Sequence, residues 1–424
     1  MKKSVSILLT LALVFGAFGT LFATSVSAAT TYKVLDNIQY FKVNGRSIEK
    51  NQLDQAGSSL EWNANCSGDV KVTVKVENAW NGNNYFTAFV DGVRVEERFE
   101  CANGGRGVFT IATGLASGNH TFKFARQTQP ADGLDTVDSV NFTGTFNPAP
   151  ADKNALIEVI GDSITCGDGA YQTGGIAPIH SDATLSYAYL TADTLGTDLS
   201  VVAQGGAGVV LNYSVNLKDM YPSTSYYRNK SVLYTPTRKA NVVVINLMTN
   251  DINRFGSLSV AERDSTLVTL KANAKTLLNQ VIANNGNVPI VWCYGMMVSP
   301  SKTFGDSKNT TIPMVINELK QTYSNLYSLE LPYNTSGGAG HPNAEGQANA
   351  AKVLSQYIDS QGWVKGSPKT KGDVNGDGKV NTLDLQALLK IVSAGKGGDL
   401  ETCDMNNDKK IDVLDIKALL FKLL

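Results

Sequence analysis

The chain has 424 residues, enough for two or three domains. Its 37 Lys and Arg offset 38 Asp and Glu to a net charge of −1, and no basic run stands out, which excludes the electrostatic footprint of a nucleic-acid binder. Charged residues make up 18% beside 39 Gly and 16 Tyr, a balance that suits an exported, strand-rich protein meeting neutral polymers.

Residues 1–29 read as a signal peptide. Lys2-Lys3 gives a positive start, Ile7–Phe22 an apolar core, and Val26-Ser27-Ala28-Ala29 small-residue cleavage sites. Secretion to the extracellular side is the expectation. No other segment reaches the roughly 18 apolar residues needed to span a bilayer, so no membrane partner is expected.

Residues 30–147 read as all-β. Val70–Val76 alternates strictly, as a half-buried strand does, and so do His120–Phe124 and Ser139–Phe142. Tyr85–Val90, then Asp91-Gly92, then Val93–Val95 reads as a hairpin with a two-residue turn. Short strands at this spacing predict a β-sandwich of jelly-roll type. Cys66 and Cys101 share this region, which leaves a disulfide or two isolated buried thiols open. A Pro-rich linker follows at 148–153.

Residues 154–362 alternate between apolar runs and helical patterns. Leu156–Ile160, Ser200–Ala203, Asn241–Leu247 and Val288–Tyr294 read as buried strands. Ser186–Leu195, Val260–Ala283, Ile312–Tyr327 and Ala344–Asp359 read as helices. That alternation predicts a parallel sheet in a three-layer α/β/α domain, with its site at the carboxyl ends of the strands.

The chemistry follows from what stands at those ends. Ser163, in Val-Ile-Gly-Asp-Ser-Ile-Thr (159–165), ends one strand and opens a helix, which exposes its hydroxyl and aims its own N–H at the same spot. Taken alone, Gly-Asp-Ser reads as a strand-to-helix turn with Ser as helix cap. Gly206 follows the second strand and Asn250 the third, and His341-Pro342 comes late in the chain. A nucleophile, two oxyanion donors and a base in this order point to ester hydrolysis, with Ser163 and His341 catalytic and Ser163, Gly206 and Asn250 forming the oxyanion hole. Of the other histidines, His120 on an alternating strand is structural and His180 lies in a loop that could rim the cleft. Trp292 and Tyr294 end a buried strand, where core packing competes with sugar stacking; they are the candidate substrate contacts. Cys166 reads as packing near Ser163.

A linker at 363–371 leads to an internal repeat over 372–424. One copy is Asp373, Asn375, Asp377, Lys379, Asn381, Asp384; the other is Asp404, Asn406, Asp408, Lys410, Asp412, Asp415. Oxygen ligands fall at loop positions 1, 3, 5, 9 and 12, with a main-chain carbonyl at 7, the arrangement that binds Ca²⁺. The second copy has Lys409 where glycine usually makes the sharp turn. Helices are expected at Leu383–Ser393 and Leu414–Leu424, and two structural calcium ions.

The repeat resembles the dockerin module, which implies calcium-dependent folding and docking onto a cohesin of a scaffold protein. Thr382-Leu383 and Val413-Leu414 occupy the positions that carry partner choice in that family. The middle region resembles the SGNH (GDSL-type) hydrolases over Gly161-Asp162-Ser163, Gly206, Asn250 and His341. A sandwich followed by a hydrolase, with Trp292–Met297, is similar to carbohydrate esterase family 2, which implies an acetyl esterase acting on plant polysaccharides such as acetylxylan and acetylated glucomannan. Such families carry Asp three residues before the histidine, where this chain has Gly338. A carbonyl of the Gly337–Gly340 turn or Glu345 is left to orient His341. A Ser-His dyad is the resulting expectation. A lipase on other esters, or a polysaccharide-binding protein with a weakened site, are the alternatives.

Overall fold

The computed structural model describes residues 28–77, 82–171, 173–298, 308–364, 370–374, 380–395 and 398–424. Most of the expected leader and residues 375–379 of the first acidic loop, including Asn375, Asp377 and Lys379, lie outside them. Among the described residues no helix is long and apolar enough to cross a membrane.

The alternating N-terminal segments are parts of long strands. Ser59–Glu77 pairs antiparallel with Arg106–Arg126 on one side and Leu134–Phe146 on the other. Thr30–Lys33 flanks Leu134–Phe146, and Asn84–Val90 with Val93–Arg94 continues beyond Arg106–Arg126. Phe41–Asn44, Gln52–Leu53 and Phe99–Cys101 complete nine strands in one hydrogen-bonded sheet. Register shifts between Cys66 and Lys71 bend the longest strands, because an extra residue on one side of a ladder kinks it. The bent sheet closes over Trp62, stacked on Phe122, and over Phe86, Phe124 and Phe142. The Asp91-Gly92 turn is tight, with Val90 opposite Val93 and both turn residues at positive φ. Cys66 and Cys101 are both free and buried, so no disulfide joins them, and burial pushes their thiols up to about 12 and about 11.

Five parallel strands form the second sheet, in the spatial order Asp198–Ala203, Leu156–Gly161, Val242–Asn246, Ile290–Tyr294, Leu326–Glu330. Helices Tyr187–Thr194 and Ala344–Ser360 cover one face, where Tyr187, Ala351 and Leu354 meet Ile157, Val159 and Val244. Helices Val260–Asn285 and Lys308–Leu319 cover the other, where Leu270, Leu277 and Ile316 meet Ile245 and Trp292. One expectation is corrected. The helix read over Ile312–Tyr327 ends at Leu319, and Leu326–Glu330 is the fifth strand. It is a half-buried edge strand, so its alternation is short and passed for the end of a helical pattern.

The C-terminal module packs Thr382–Ala394 against Val413–Leu423 through Leu388, Ile391 and Leu419. Both helices open on a capping box, Asn381 with Asp384 and Asp412 with Asp415.

The two larger regions are joined by buried charge. Arg46, from the β-rich region, donates to Glu158 Oε1 at 2.8 Å with both side chains almost fully buried. Tyr221 Oη and Asn285 Nδ2 donate to Glu158 Oε2, each at 2.9 Å. The Arg46 guanidinium also lies over the rings of Tyr221 and Tyr234. Removing one partner of such a pair leaves the other charge uncompensated. Arg46→Met is therefore expected to lower unfolding stability by about 3–5 kcal/mol, read as a shift of the denaturation midpoint.

Candidate active site

The apolar strand Leu156–Gly161 ends where a side chain cannot follow: a Cβ on Gly161 would lie 2.0 Å from Thr165 Oγ1. Asp162 then caps the short helix Ser163–Cys166, its Oδ1 accepting from Ile164 N at 3.0 Å, and Gly167 stops the helix in the left-handed region. Ser163 stands at the first helical position, 8% exposed. Among the described residues, neither its N–H nor that of Gly206 donates to a main-chain carbonyl.

His341 reaches it from the turn before Ala344–Ser360. His341 Nε2 lies 2.8 Å from Ser163 Oγ, and Nδ1 lies 3.1 Å from the carbonyl oxygen of Gly338. A carbonyl only accepts, so Nδ1 carries the proton and Nε2 is left to receive one from the serine. Burial pulls the His341 pKa below its ordinary value, against the weaker opposite effect of the Gly338 and Ala339 backbone. Glu345 is exposed on the following helix and makes no hydrogen bond to His341 among the described residues. Of the two candidates for holding the ring, the Gly338 carbonyl is in contact with it.

The turn needs a close neighbour. Gly338 N donates to Gly169 O, and Ala339, at φ +52, donates to Gly174 O. A Cβ on Gly169, itself at φ +73, would lie 2.6 Å from Gly338 O and 2.9 Å from His341 Cβ.

Gly206 is at φ +73, and its carbonyl oxygen accepts from Tyr213 N at 2.8 Å. Asn250 Nδ2 donates to Ala207 O at 2.8 Å and stands 3.5 Å from Asp162 Oδ2, so the amide lies between the Ser163 turn and the Gly206 loop. Asp251 accepts from the N–H groups of Val209, Val210 and Leu211 and so braces the same loop. Burial pushes the carboxyls of Asp162 and Asp168 up to about 7, against the Ile164 N–H at Asp162 and with a further push from Asp132 at Asp168.

Other expected residues fall elsewhere. Trp292 is 0% exposed, and its Nε1 points to Leu247 O at 3.4 Å. It is core and out of a substrate's reach, since its strand lies inside the sheet with a helix layer over that face. Tyr294 is half-buried against the same core and makes no hydrogen bond to Ser163 or His341 among the described residues. His120 pairs with Asp91 at 2.9 Å and Ala116 O at 2.9 Å. Burial opposes its charge, but those partners prevail and its pKa is raised, a structural ion pair. The His180 ring lies against Gly174 in the loop that supports Ala339. Cys166 is buried, its thiol pushed well up by burial. Gly169 and Gln129 belong to the site's surroundings and carry no motif. Only the sheet's topology brings them there.

The second acidic loop offers hard oxygen donors suited to Ca²⁺. Asp404 and Asp415 are buried, with Asp408 and Asn406 beside them. The loop folds around these side chains: Asp404 accepts from Asp408 N and Lys409 N, and Asp415 from Met405 N and Asn406 N. Lys409 takes the left-handed conformation, φ +65, that glycine usually supplies. The donor set fits calcium, although among the described residues no three carboxylates converge on one point.

Residues 157–354 match the GDSL-like Lipase/Acylhydrolase family, and residues 371–424 the Dockerin type I domain. The chain is 28% identical over 325 residues to Cellulase/esterase CelE of Acetivibrio thermocellus, covering 73% of this chain and 37% of that protein. It thus spans little more than a third of that relative. It is 25% identical over 253 residues to an acetylxylan esterase / glucomannan deacetylase of Cellvibrio japonicus, over 57% of this chain and 67% of the relative. A family two carbohydrate esterase from Clostridium thermocellum, solved with cellohexaose, superposes with TM-score 0.67 at 27% identity over 76% of this chain and 100% of that one. An acetyl xylan esterase from Butyrivibrio proteoclasticus, at 19% identity over 80% and 100%, shares the fold with TM-score 0.69.

Gly169→Ala is expected to move the 338–341 turn away from Ser163. Its crystal structure should show Nε2 and Oγ separated beyond roughly 3.5 Å, and its stability should fall by at least about 1–2 kcal/mol from the positive φ alone.

Proposed function

We propose, for a chain that carries a GDSL-like lipase/acylhydrolase domain and a dockerin type I domain and is homologous to the family 2 carbohydrate esterases, that it is a cellulosomal acetyl esterase working through Ser163 and His341. The observation that carries this reading is the 2.8 Å contact of His341 Nε2 with Ser163 Oγ, the ring held from behind by Gly338 O.

In this reading the Ser163 hydroxyl proton passes to His341 Nε2 as Oγ attacks the acetyl carbonyl. The negative oxygen of the tetrahedral intermediate is received by the N–H of Ser163, the N–H of Gly206 and the Asn250 amide, which keeps one hydrogen on Ala207 O and turns the other from its long 3.5 Å contact with Asp162. Each such donor contributes about 3–4 kcal/mol to the transition state. The bond to the sugar oxygen then breaks, and the Nε2 proton leaves with that oxygen as a hydroxyl. Water repeats the sequence on the acetyl-enzyme and releases acetate. The imidazolium formed in each half is stabilised by a neutral carbonyl, so the ring is oriented without a carboxylate partner.

The substrate class proposed is O-acetylated plant polysaccharide, acetylxylan and acetylated glucomannan, on the strength of the relatives' activities. Residues 1–29 would direct export, and residues 372–424 would dock onto a cohesin. Two calcium ions would be held by Asp373, Asn375, Asp377, Lys379 and Asp384 and by Asp404, Asn406, Asp408, Lys410 and Asp415. Calcium there supplies charge neutralisation that lets the carboxylates pack in the module.

Acetate release from acetylated xylan and glucomannan tests the reading. Ser163→Ala is expected to lower it by roughly 10⁴-fold or more with the fold intact. No acetate from the folded wild-type protein on either polymer would sink the proposal.

A further inference from the structure

The loop that carries Gly206 is gripped from the other domain. Arg126, fully buried, donates to the carbonyls of Leu53, Thr128, Gln129 and Gly133, which fixes the course of residues 126–133. From that fixed segment the Gln129 side chain crosses to the α/β domain. Its Oε1 accepts from Gly205 N at 2.7 Å and from Gln204 Nε2 at 2.8 Å, and its Nε2 donates to Asp132 Oδ1 at 3.2 Å. Ala131 N donates to Gln204 Oε1 at 3.0 Å beside it.

The geometry accounts for Gly205. A Cβ there would lie 2.2 Å from Gln129 Oε1, so the approach of the amide is what excludes a side chain. Two consecutive glycines also leave the backbone loose unless something outside holds it. The peptide that joins Gly205 to Gly206 is planar, so the direction of its carbonyl sets the direction of the Gly206 N–H. That carbonyl accepts from Ser214 Oγ at 2.7 Å, while the preceding N–H is held by Gln129. The plane containing the Gly206 N–H is thereby fixed from both sides, one of them supplied by the β-rich region.

We propose that Gln129 is a positioning residue for the Gly206 oxyanion donor, so that the β-rich region completes the active site of its neighbour. This rests on the Ser163–His341 esterase reading. A donor displaced by a fraction of an ångström acts on the transition state and hardly on the bound ester.

The test uses the full chain and an aryl acetate. Gln129→Met, which keeps the shape and removes the acceptor, is expected to lower kcat about ten- to a hundredfold with KM changed less than about threefold. Amide hydrogen exchange in residues 204–208 should quicken in parallel. Arg228→Met removes a different crossing contact, the bidentate pair with Asp54, and should lower stability with kcat unchanged. Unchanged kcat and unchanged exchange in Gln129→Met would overturn the inference. So would an equal loss of kcat in Arg228→Met, which would mean that general loosening of the interface is the cause. An inactive wild type would overturn the esterase reading and with it the catalytic role, while quickened exchange would still establish the clamp.

Discussion

The hydrogen bond from His341 Nδ1 to the carbonyl of Gly338 is the constraint on which the rest of the site depends. It selects the tautomer that leaves Nε2 facing Ser163, and it does so with a neutral acceptor. A hydrogen bond to a charged group contributes about 1.5–3 kcal/mol, against about 0.5–1.5 kcal/mol for a neutral one. The ring is therefore held firmly enough to be aimed, but its protonated form receives less help than a carboxylate would give. A main-chain acceptor also moves the burden from one side chain to a whole turn. The Gly337–Gly340 turn must be placed as accurately as an aspartate would be, and it is placed by Gly169 and Gly174 from the loop that follows Ser163.

That loop in turn leans on the β-rich region. Arg98 donates to the carbonyls of Pro178, Ile179 and Ser181 and lies over the rings of Tyr85 and Tyr171. Gln127 and Arg94 both donate to Asp182. With Gln129 at the Gly205 turn, the β-rich region touches both the loop that supports the His341 turn and the turn that carries Gly206. The buried Arg46–Glu158 pair is a further contact that crosses between the two regions.

The features legible in the sequence were those that depend on local position. Ser163, Gly206 and Asn250 follow strands whose apolar runs are unmistakable, and His341 is the only late histidine. The capping boxes at Asn381 and Asp412 lie in the acidic repeat itself, so the C-terminal helices were readable to within a residue. What was not legible depends on tertiary neighbours. Trp292 looked like a rim aromatic because it ends a strand, but helices over that face of the sheet bury it. Leu326–Glu330 is too short and too half-buried to show its period. Gln129 sits in a turn of no special composition, and its partner lies 76 residues away in the chain. The gap at Gly338 was visible, but which carbonyl fills it follows only from the fold of the turn.

The most direct test of the carbonyl-held histidine is the NMR titration of the His341 ring. Burial favours the neutral ring, so its folded pKa is depressed and the proton is lost at lower pH than in the unfolded chain. A midpoint below 6.5 is the predicted result, with His341 neutral and able to accept the serine proton through neutral pH. A midpoint above 6.5 would mean that a carboxylate stabilises the imidazolium, and would contradict the account.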